Sequence, residues 1–352
     1  MGENDSVRTS RRGLLKRAAG GAAMGLGAAM LGGCGSPAGD GGGGSGSQKR
    51  LKALISNAGL QGSWNARGRD AVMLWADKLN VDVTWVDGEF NGGKQREKID
   101  LQVDNDWDFF AAQAHQIDIL EEPVRKLKKR NIPVISMDTL IVEKPRLREA
   151  GVWLYIAPDH FAMAQQSTRY LVEKIGGRGN LIHIGGQSEH SGAQQRKRGF
   201  ESVIAEYGDD IKVLGGEVRW CDWKIEKART AFDALLAKSG GSVAGAFFHN
   251  DDMAMACATA RKGPYKDMVF TAVDGQTAGQ EGIRSGALAA TVVNPAAMIH
   301  GWSLIIGQFI VRNQEKIEDV PLEITVPSPL VTKEAGNVDA VAYLGSAEHC
   351  LM

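Results

Sequence analysis

The sequence lacks the short motifs by which many catalytic and metal-binding proteins are recognised. Its four cysteines form no Cys-x-x-Cys pair, which argues against a zinc site and against a multi-disulfide scaffold. It also has no Gly-x-Ser-x-Gly elbow, no Gly-x-x-x-x-Gly-Lys-Ser/Thr phosphate loop and no His-Glu-x-x-His helix, the signatures of common hydrolases, nucleotide-binding proteins and metalloproteases. We therefore expect a protein that is not an enzyme and that uses neither a cofactor nor a metal ion.

Excess charge is missing as well. The formal net charge is −1, with 41 basic and 42 acidic side chains, and there is no basic block of the kind that binds nucleic acid. After residue 33 no apolar run reaches the roughly 20 residues that cross a bilayer. About 300 residues follow that point, enough for two domains with a substantial core. The composition thus favours a two-domain protein that binds no nucleic acid.

The first 33 residues have the layout of an export signal. SRRGLLK (10–16) resembles the twin-arginine consensus and precedes an apolar stretch diluted with Gly and Ala. LGGC (31–34) resembles a bacterial lipobox, in which cleavage leaves Cys34 first and its thiol is acylated. Residues 34–49 are rich in Gly and Ser and predict a flexible linker. We expect a lipoprotein outside the cytoplasm that is held to a membrane by its lipid anchor.

The other cysteines are expected to be buried or incidental thiols. They are Cys221, Cys257 and Cys350, an odd number with no regular spacing. A single disulfide between two of them stays open, because the sequence cannot pair them.

From residue 51 onwards, short apolar runs alternate with longer amphipathic ones. LKALIS (51–56) predicts a strand, residues 64–79 predict a helix, and VDVTWVD (81–87) predicts the next strand. After a connection that contains Pro145, the same alternation resumes at VWLYIA. Strands and helices at this period indicate βαβ units on parallel sheets. The predicted fold class is α/β, with two doubly wound parallel sheets in series.

Polar residues occur where the apolar strands stop. In open parallel sheets, ligands bind beyond the carboxyl ends of the strands. Because such residues come from both halves of the chain, a site between two lobes would collect them. They are residues 58–61, Gln113, Asp138, Gln187, Asn250, Asp274 and Asn294.

The strand ends belong to an ordered set that resembles periplasmic sugar-binding proteins of the ribose-binding type. No single motif is diagnostic of this family, but the order of the segments along the chain is. The resemblance extends from residue 51 to about residue 330. The segments are ISMD (135–138), GAQQRKRGF (192–200), FHNDDMAMA (248–256), TAVDG (271–275) and ATVVNP (290–295).

The resemblance implies a type I periplasmic binding protein, with two Rossmann-like lobes joined by a three-segment hinge. The crossovers would fall near Ala157, Asn294 and Pro321. The implied N-terminal lobe comprises residues 50–157 and 295–321. The implied C-terminal lobe comprises residues 158–294 and 322–352.

The same resemblance implies a function and its partners. The protein would close on a monosaccharide by hinge motion and deliver it, as a monomer, to the membrane subunits of an ABC-type permease. Two alternatives stay open: a ligand-binding component of a chemotaxis or sensor-kinase system, and a binder of an inositol-like polyol.

A sugar offers a ring of hydroxyls and two apolar faces, so its site needs hydrogen-bonding side chains and aromatic rings. By the resemblance, Trp64 and Trp223 are the aromatic residues of the two lobes, and Arg196 forks across neighbouring sugar oxygens. Where the ribose-binding type usually has an arginine after the aspartate, this chain has Thr139, which argues against ribose itself. The candidate ligand-binding residues are Gln61, Trp64, Gln113, Asp138, Arg196, Trp223, Asn250, Asp274 and Asn294.

Each assignment has a structural alternative. The tryptophans could be core residues, and Asp138 could be a helix cap or turn residue. Residues 196–198 could form one solvated basic face. Either Asp251 or Asp252 is expected to cap the helix that follows Asn250.

Overall fold

The protein is described by a computed structural model in which residues 49–351 are placed. The predicted signal peptide (1–33), the lipidation site Cys34 and all but the last residue of the predicted linker lie outside the described residues.

The first lobe is built on a six-stranded, wholly parallel sheet. Its strand order is β12-β5-β4-β3-β1-β2. The strands read as nearly continuous apolar runs, because helices cover both faces of a parallel sheet. They are β1 (Leu51–Asn57), β2 (Val81–Asp87), β3 (Phe109–Ala112), β4 (Val134–Met137), β5 (Val152–Ala157) and β12 (Glu323–Thr325).

The second lobe is built on a seven-stranded sheet. Its main strand order is β13-β11-β10-β9-β6-β7. The short strand β8 also pairs with β6, nearer to the carboxyl end of β6 than β7 does. Only β13 runs antiparallel to its neighbour. The strands are β6 (Gly179–Gly185), β7 (Ile211–Val213), β8 (Arg219–Trp220), β9 (Gly245–Phe248), β10 (Val269–Asp274), β11 (Ala290–Val293) and β13 (Leu330–Thr332).

Helices connect the strands in the alternating order that the sequence predicts. They are α1 (Ser63–Lys78), α2 (Gly92–Asp100), α3 (Glu121–Lys129), α4 (Leu147–Ala150), α5 (His160–Lys174), α6 (Ser191–Ile204), α7 (Ile225–Lys238), α8 (Asp251–Ala258), α9 (Thr277–Ser285), α10 (Ala296–Arg312) and α11 (Val338–Leu344). Among residues 49–351, no helix is both long and apolar enough to traverse a membrane.

Both sheets bury their two faces. Leu54 and Ile55, consecutive residues of β1, enter different hydrophobic cores, and Leu181 and Ile182 of β6 do the same. Side chains alternate between the two faces of a strand, so each sheet lies between two layers of helices. The two doubly wound lobes match the predicted fold class.

As far as β13, the chain crosses between the lobes three times, and the third of these crossings differs from the expectation. The first two crossings follow β5 and β11. The third was expected near Pro321, but Glu323–Thr325 pairs with β5 in the first sheet, and the amide of Val326 still donates to the carbonyl of Ala157 (3.0 Å). The chain therefore crosses between residues 326 and 330. A three-residue edge strand with one half-buried side chain gives too short a pattern to be recognised in the sequence.

The apolar run IKVLGGEV (211–218) forms a strand only at its start. It stops at Val213, because Gly215 and Gly216 adopt positive φ angles of 82° and 78°, a left-handed conformation that interrupts a strand and that glycine adopts readily.

Candidate functional site

A cavity lies between the carboxyl edges of the two sheets. It contains about 590 Å³ of atom-free space, which includes the open solvent at its mouth. All nine candidate residues named from the sequence line it, and all but Arg196, which lies in the second turn of α6, come from a strand end, a following loop or a helix start. The lining residues are Ala58, Gln61, Gly62, Trp64, Asn65, Phe90, Gln113, Asp138, His190, Arg196, Trp223, Ile225, Asn250, Asp252, Asp274, Gln276 and Asn294.

Asp138, directly after β4, is a buried carboxylate of the cavity that is surrounded by hydrogen-bond donors. It is 2 % exposed, and it accepts from Gln113 Nε2 (3.1 Å) and from Asn294 Nδ2 (2.9 Å). His160 Nε2 lies 3.3 Å from the same carboxylate. Burial alone would raise the pKa of Asp138, but the adjacent His160 and the more distant His190 and Arg196 outweigh burial and hold that pKa well below its usual range. The side chain is therefore an anion that the protein itself orients.

Arg196 and Asp274 form a buried ion pair across the second lobe. Arg196 Nη2 lies 2.7 Å from Asp274 Oδ1, and the two side chains are 3 % and 7 % exposed. Arg196 also donates to the carbonyl of His249. Burial raises the pKa of Asp274 in spite of this partner. The alternative that residues 196–198 form one solvated face is wrong, because Arg196 alone is buried.

Trp223 forms an aromatic wall on the second lobe. It adopts a positive φ of 59°, and its ring covers Gly186 so closely that a Cβ there would lie 2.2 Å from the ring. The guanidinium of Arg196 is 5.9 Å from the ring centre, and His190 meets the ring edge-on at 5.0 Å. The local backbone thus presents the indole to the cavity.

Trp64 is both a cavity residue and a core residue. It is buried in the first lobe, where its ring meets His300 edge-on at 5.1 Å. Its indole nitrogen donates to the carbonyl of Asn294 (2.9 Å). The alternative that Trp64 is a core residue therefore holds in part, because its packing connects α1 to the second crossover.

Asn250 is the cap of α8. Its side-chain oxygen accepts from the amide of Met253 (2.9 Å), so the expectation that Asp251 or Asp252 caps this helix is wrong. Those two residues have other partners. Asp251 accepts from the amide of Gln276 (2.6 Å) and Asp252 accepts from Ser63 Oγ (2.8 Å).

Several lining residues are not among those expected from the sequence, most notably Phe90. This residue follows the carboxyl end of β2 by three positions and has a positive φ of 48°. Its ring covers Gly62, where a Cβ would lie 2.9 Å from it. The strand-end rule applied to β2 could have found it. His190 and Gln276 lie at the starts of α6 and α9, positions that the same rule covers only loosely.

The two lobes touch around the cavity, so the structure is in a closed form. On one side, Ser63 Oγ donates to Asp252 (2.8 Å) and Arg67 donates to Thr277 (2.7 Å). On the other, the side chains of Gln187 and His115 are 3.2 Å apart. A ligand in this cavity would be enclosed by both lobes.

A buried histidine pair supports the second-lobe wall. The Nε2 atoms of His183 and His249 are 2.9 Å apart, and His249 Nδ1 accepts from the amide of Gly186 (3.3 Å). An imidazole that accepts at Nδ1 carries its proton at Nε2, so His249 donates to His183. Among the described residues no His/Cys/Asp/Glu group could hold a metal ion. The three described cysteines are buried free thiols.

Two doubly wound lobes, three crossovers and a cavity shared by both lobes define a two-lobed solute-binding protein. The chain belongs to the periplasmic binding protein family, since the family model described as a periplasmic binding protein domain matches residues 53–306. This confirms the family and the fold class expected from the sequence. The family consists of binding proteins rather than enzymes and implies a location outside the cytoplasm.

The relatives found by sequence are sugar- and polyol-binding proteins. A xylitol-binding protein of Mycolicibacterium smegmatis is 26% identical over 278 residues, which cover 79% of this chain and 75% of the relative. The ribose import binding protein RbsB of Haemophilus influenzae is 23% identical over 260 residues, covering 74% and 85%.

Solved structures show the same fold. The Caulobacter myo-inositol binding protein superposes with a TM-score of 0.74 at 17% identity and covers 86% of this chain and 98% of its own. A galactofuranose-binding protein gives a TM-score of 0.74 at 19% identity, covering 84% and 99%.

The buried histidines make stability depend on pH. Burial, with a contribution from Lys197, lowers the pKa of His183 to about 3, whereas in an unfolded chain it is near 6.5. Unfolding therefore takes up a proton, so this contribution to stability is complete above about pH 6.5 and is lost as the pH falls toward 3. We expect His183→Gln to make the free energy of unfolding less steep in pH, by roughly 1.4 kcal/mol per pH unit between about pH 4 and 6.

Urea unfolding of both proteins at pH 4, 5 and 6 measures this slope. Glutamine keeps an acceptor for the proton of His249. The difference between the proteins is the informative quantity, because burial raises the pKa of Asp251 and Asp274 and their protonation opposes the histidine effect. Parallel curves for the two proteins would contradict the assignment of a neutral His183.

Proposed function

We propose that this chain captures a neutral monosaccharide or polyol between its lobes and delivers it to an ABC-type permease, as a monomer and without chemical conversion. The observation that carries the proposal is the cavity itself, in which Asp138, Arg196 and Asp274 meet aromatic walls from both lobes. The relatives that are import proteins support delivery to a permease.

The charges of the cavity favour a neutral ligand. Arg196 is already paired with Asp274, and Asp138 is surrounded by donors from the protein. A free amino acid would need an unpaired cation for its carboxylate and an unpaired anion for its ammonium group. Hydroxyl groups need only donors and acceptors, which paired charged side chains still provide.

Two cavity residues each have a buried polar atom without a partner in the protein. Within residues 49–351, Arg196 Nε and Asn294 Oδ1 have no hydrogen-bond partner. One is a donor and the other an acceptor, and a hydroxyl group can serve both. Both atoms are shielded from the open cavity, so a ligand hydroxyl would pair with them only after a small shift of these side chains, and such pairing would relieve the cost of leaving them unpaired. The rings of Trp223 and Phe90 suit the apolar faces of a sugar or the carbon chain of a polyol.

The ligand would hold the closed form. Asp138 and Gln113 belong to the first lobe, Arg196 and Trp223 to the second, and Asn294 to the second crossover. A ligand that contacts all of them binds the closed form better than the open form and shifts the population toward it.

The ligand class extends beyond ribose. Thr139 is buried and its hydroxyl donates to the carbonyl of Ala114 (2.8 Å), so it gives the cavity no charged donor in place of the arginine of the ribose-binding type. This supports another pentose, a hexose or a polyol, and the name of the xylitol-binding relative points the same way.

A sensing role is the second candidate. One structural neighbour, at 22% identity and a TM-score of 0.70, is the fructose-binding periplasmic domain of a hybrid two-component system. Delivery to a permease is preferred because the relatives found by sequence include import proteins.

A thermal-shift screen tests the ligand class. Pentoses, hexoses, pentitols and inositols, with amino acids and nucleosides as the contrast set, are added to the purified protein. A ligand at about 100 times its Kd adds roughly 2.7 kcal/mol to stability, which we expect to raise Tm by roughly 5 °C. A rise with amino acids or nucleosides alone would refute the sugar or polyol assignment.

Trp223→Ala tests the aromatic wall. Losing the indole removes apolar surface that the ligand would cover, so we expect the Kd of the ligand found in the screen to rise roughly tenfold or more, with the fold retained. Calorimetry measures the Kd, and Trp223→Phe should restore most of the affinity. The control is Trp107→Ala, a half-buried tryptophan outside the cavity. Equal Kd values for Trp223→Ala and the unmodified chain would exclude the wall from binding.

Cys34→Ser tests the lipid anchor that we propose for the N-terminal segment. Without the thiol no acyl chain can be attached, so we expect the protein to move from the membrane fraction to the soluble extracytoplasmic fraction. Cys257→Ser, which changes a thiol buried in the second lobe, is the matched control and should stay with the membrane. Retention of both variants on the membrane would refute acylation at Cys34.

A further inference from the structure

The segment after β13 begins on the second lobe. Val338, the first residue of α11, is buried in the hydrophobic core of that lobe, and Val341 packs against the same core. Asn337 donates to the carbonyl of Leu330 in β13 (2.8 Å). Asp339 pairs with Arg284 of α9 (2.7 Å). The start of this segment is therefore anchored in the second lobe.

The same segment ends on the first lobe. The indole nitrogen of Trp75, in α1, donates to the carbonyl of Ala347 (2.8 Å). Cys350 is 1 % exposed and packs with Ala71 of α1 and Ala297 of α10. This corrects the expectation that residues 322–352 all belong to the C-terminal lobe, because residues 347–351 pack on the first lobe.

The segment runs beside an interlobe contact that must break when the lobes separate. In this contact, Arg67 of α1 in the first lobe donates to Thr277 of α9 in the second lobe (2.7 Å). Arg67 also lies beside the segment, since a Cβ at Gly345 would be 4.0 Å from its Nη1. The segment thus joins the two lobes beside a contact that opening would break.

The segment has little slack. Its backbone is hydrogen-bonded along its length, from Gly345 to Val341 (2.9 Å), from Ser346 to Tyr343 (3.2 Å) and from Cys350 to Ser346 (3.0 Å). Helical backbone advances about 1.5 Å per residue, against about 3.3 Å when extended. Moving its two ends apart must therefore unwind the segment or detach one end.

We propose that residues 338–351 form a strap, a fourth connection between the lobes, which is attached to the first lobe without covalent bonds, limits opening of the cleft and slows ligand release. Among the described residues, the first lobe holds it by one hydrogen bond and a small apolar contact, so the strap can detach. Losing one half-buried hydrogen bond and one small apolar contact corresponds to roughly a tenfold change in an equilibrium or a rate.

Small-angle X-ray scattering of the protein without ligand tests the strap directly. The full chain is compared with the same chain ending at Gly345, which loses the first-lobe attachment. We expect a larger radius of gyration for the shortened chain, because its cleft opens further. This arm needs no ligand, so it decides the strap even if the proposed sugar or polyol function fails.

A point variant removes the attachment more gently. Trp75→Phe keeps an aromatic ring but loses the hydrogen bond to Ala347. The matched control is Trp85→Phe, because the indole nitrogen of Trp85 has no hydrogen-bond partner among the described residues. We expect the radius of gyration of the Trp75 variant to shift toward that of the shortened chain, and that of the Trp85 variant to equal that of the full chain.

Ligand release gives the kinetic arm, which rests on the proposed function. Stopped-flow tryptophan fluorescence follows the release of xylitol and of D-ribose, used as probes. For a probe that binds, we expect release to be roughly tenfold faster from the shortened chain and from Trp75→Phe. If neither probe binds, the scattering arm alone decides the strap.

The strap proposal is overturned if the shortened chain and Trp75→Phe have the same radius of gyration as the full chain. A lower Tm with an unchanged radius of gyration would show that the segment only stabilises the first lobe, and this result would also overturn the proposal. A larger radius of gyration together with an unchanged rate of ligand release would refute the kinetic part of the proposal.

Discussion

The buried carboxylate of Asp138 is the constraint on which the two-lobed arrangement depends. It receives a hydrogen bond from Gln113 in the first lobe and another from Asn294 at the second crossover. His160, which begins α5 just after the first crossover, lies 3.3 Å from the same carboxylate and 3.0 Å from the backbone oxygen of the aspartate. One anion thus connects two crossovers and both lobes. A buried charge is costly without such partners, so the conformation of the hinge and the ionisation of Asp138 stabilise each other.

The strand-end positions were predictable because the periodicity of a parallel sheet is regular. Apolar runs show where β3, β4, β10 and β11 stop, and ligand sites in such sheets lie beyond those ends. Gln113, Asp138, Asp274 and Asn294 follow from this rule and line the cavity together. The resemblance added Trp64, Arg196 and Trp223, whose positions inside helices and loops no periodicity specifies. Their roles as ligand contacts stay proposals.

The features that the sequence did not predict depend on tertiary packing. The strand-end rule applied to β2 gives the position of Phe90 in the chain, but its left-handed backbone conformation, which directs the ring, is not encoded in an apolar pattern. The edge strand β12 has only three residues, so its sheet is chosen by pairing with β5 rather than by local preference. Cys350 resembles any buried thiol in the sequence, and only the folded chain shows that it packs on the lobe opposite to Val338.

A site whose side chains are held before the ligand arrives can discriminate among polyols that differ in one hydroxyl. Arg196 is fixed by Asp274 and the His249 carbonyl, and the His183 pair holds His249 in one tautomer. Fixed donors and acceptors cannot turn to follow a misplaced hydroxyl, so a wrong stereoisomer leaves buried groups unpaired, at about 1–3 kcal/mol each. A site built to pair with a hydroxyl therefore rejects an analogue that lacks it more strongly than an apolar pocket rejects a change in size. In the function that we propose, closure of the lobes would add to this selection, because the cavity is lined by both lobes and a ligand would have to fit both walls.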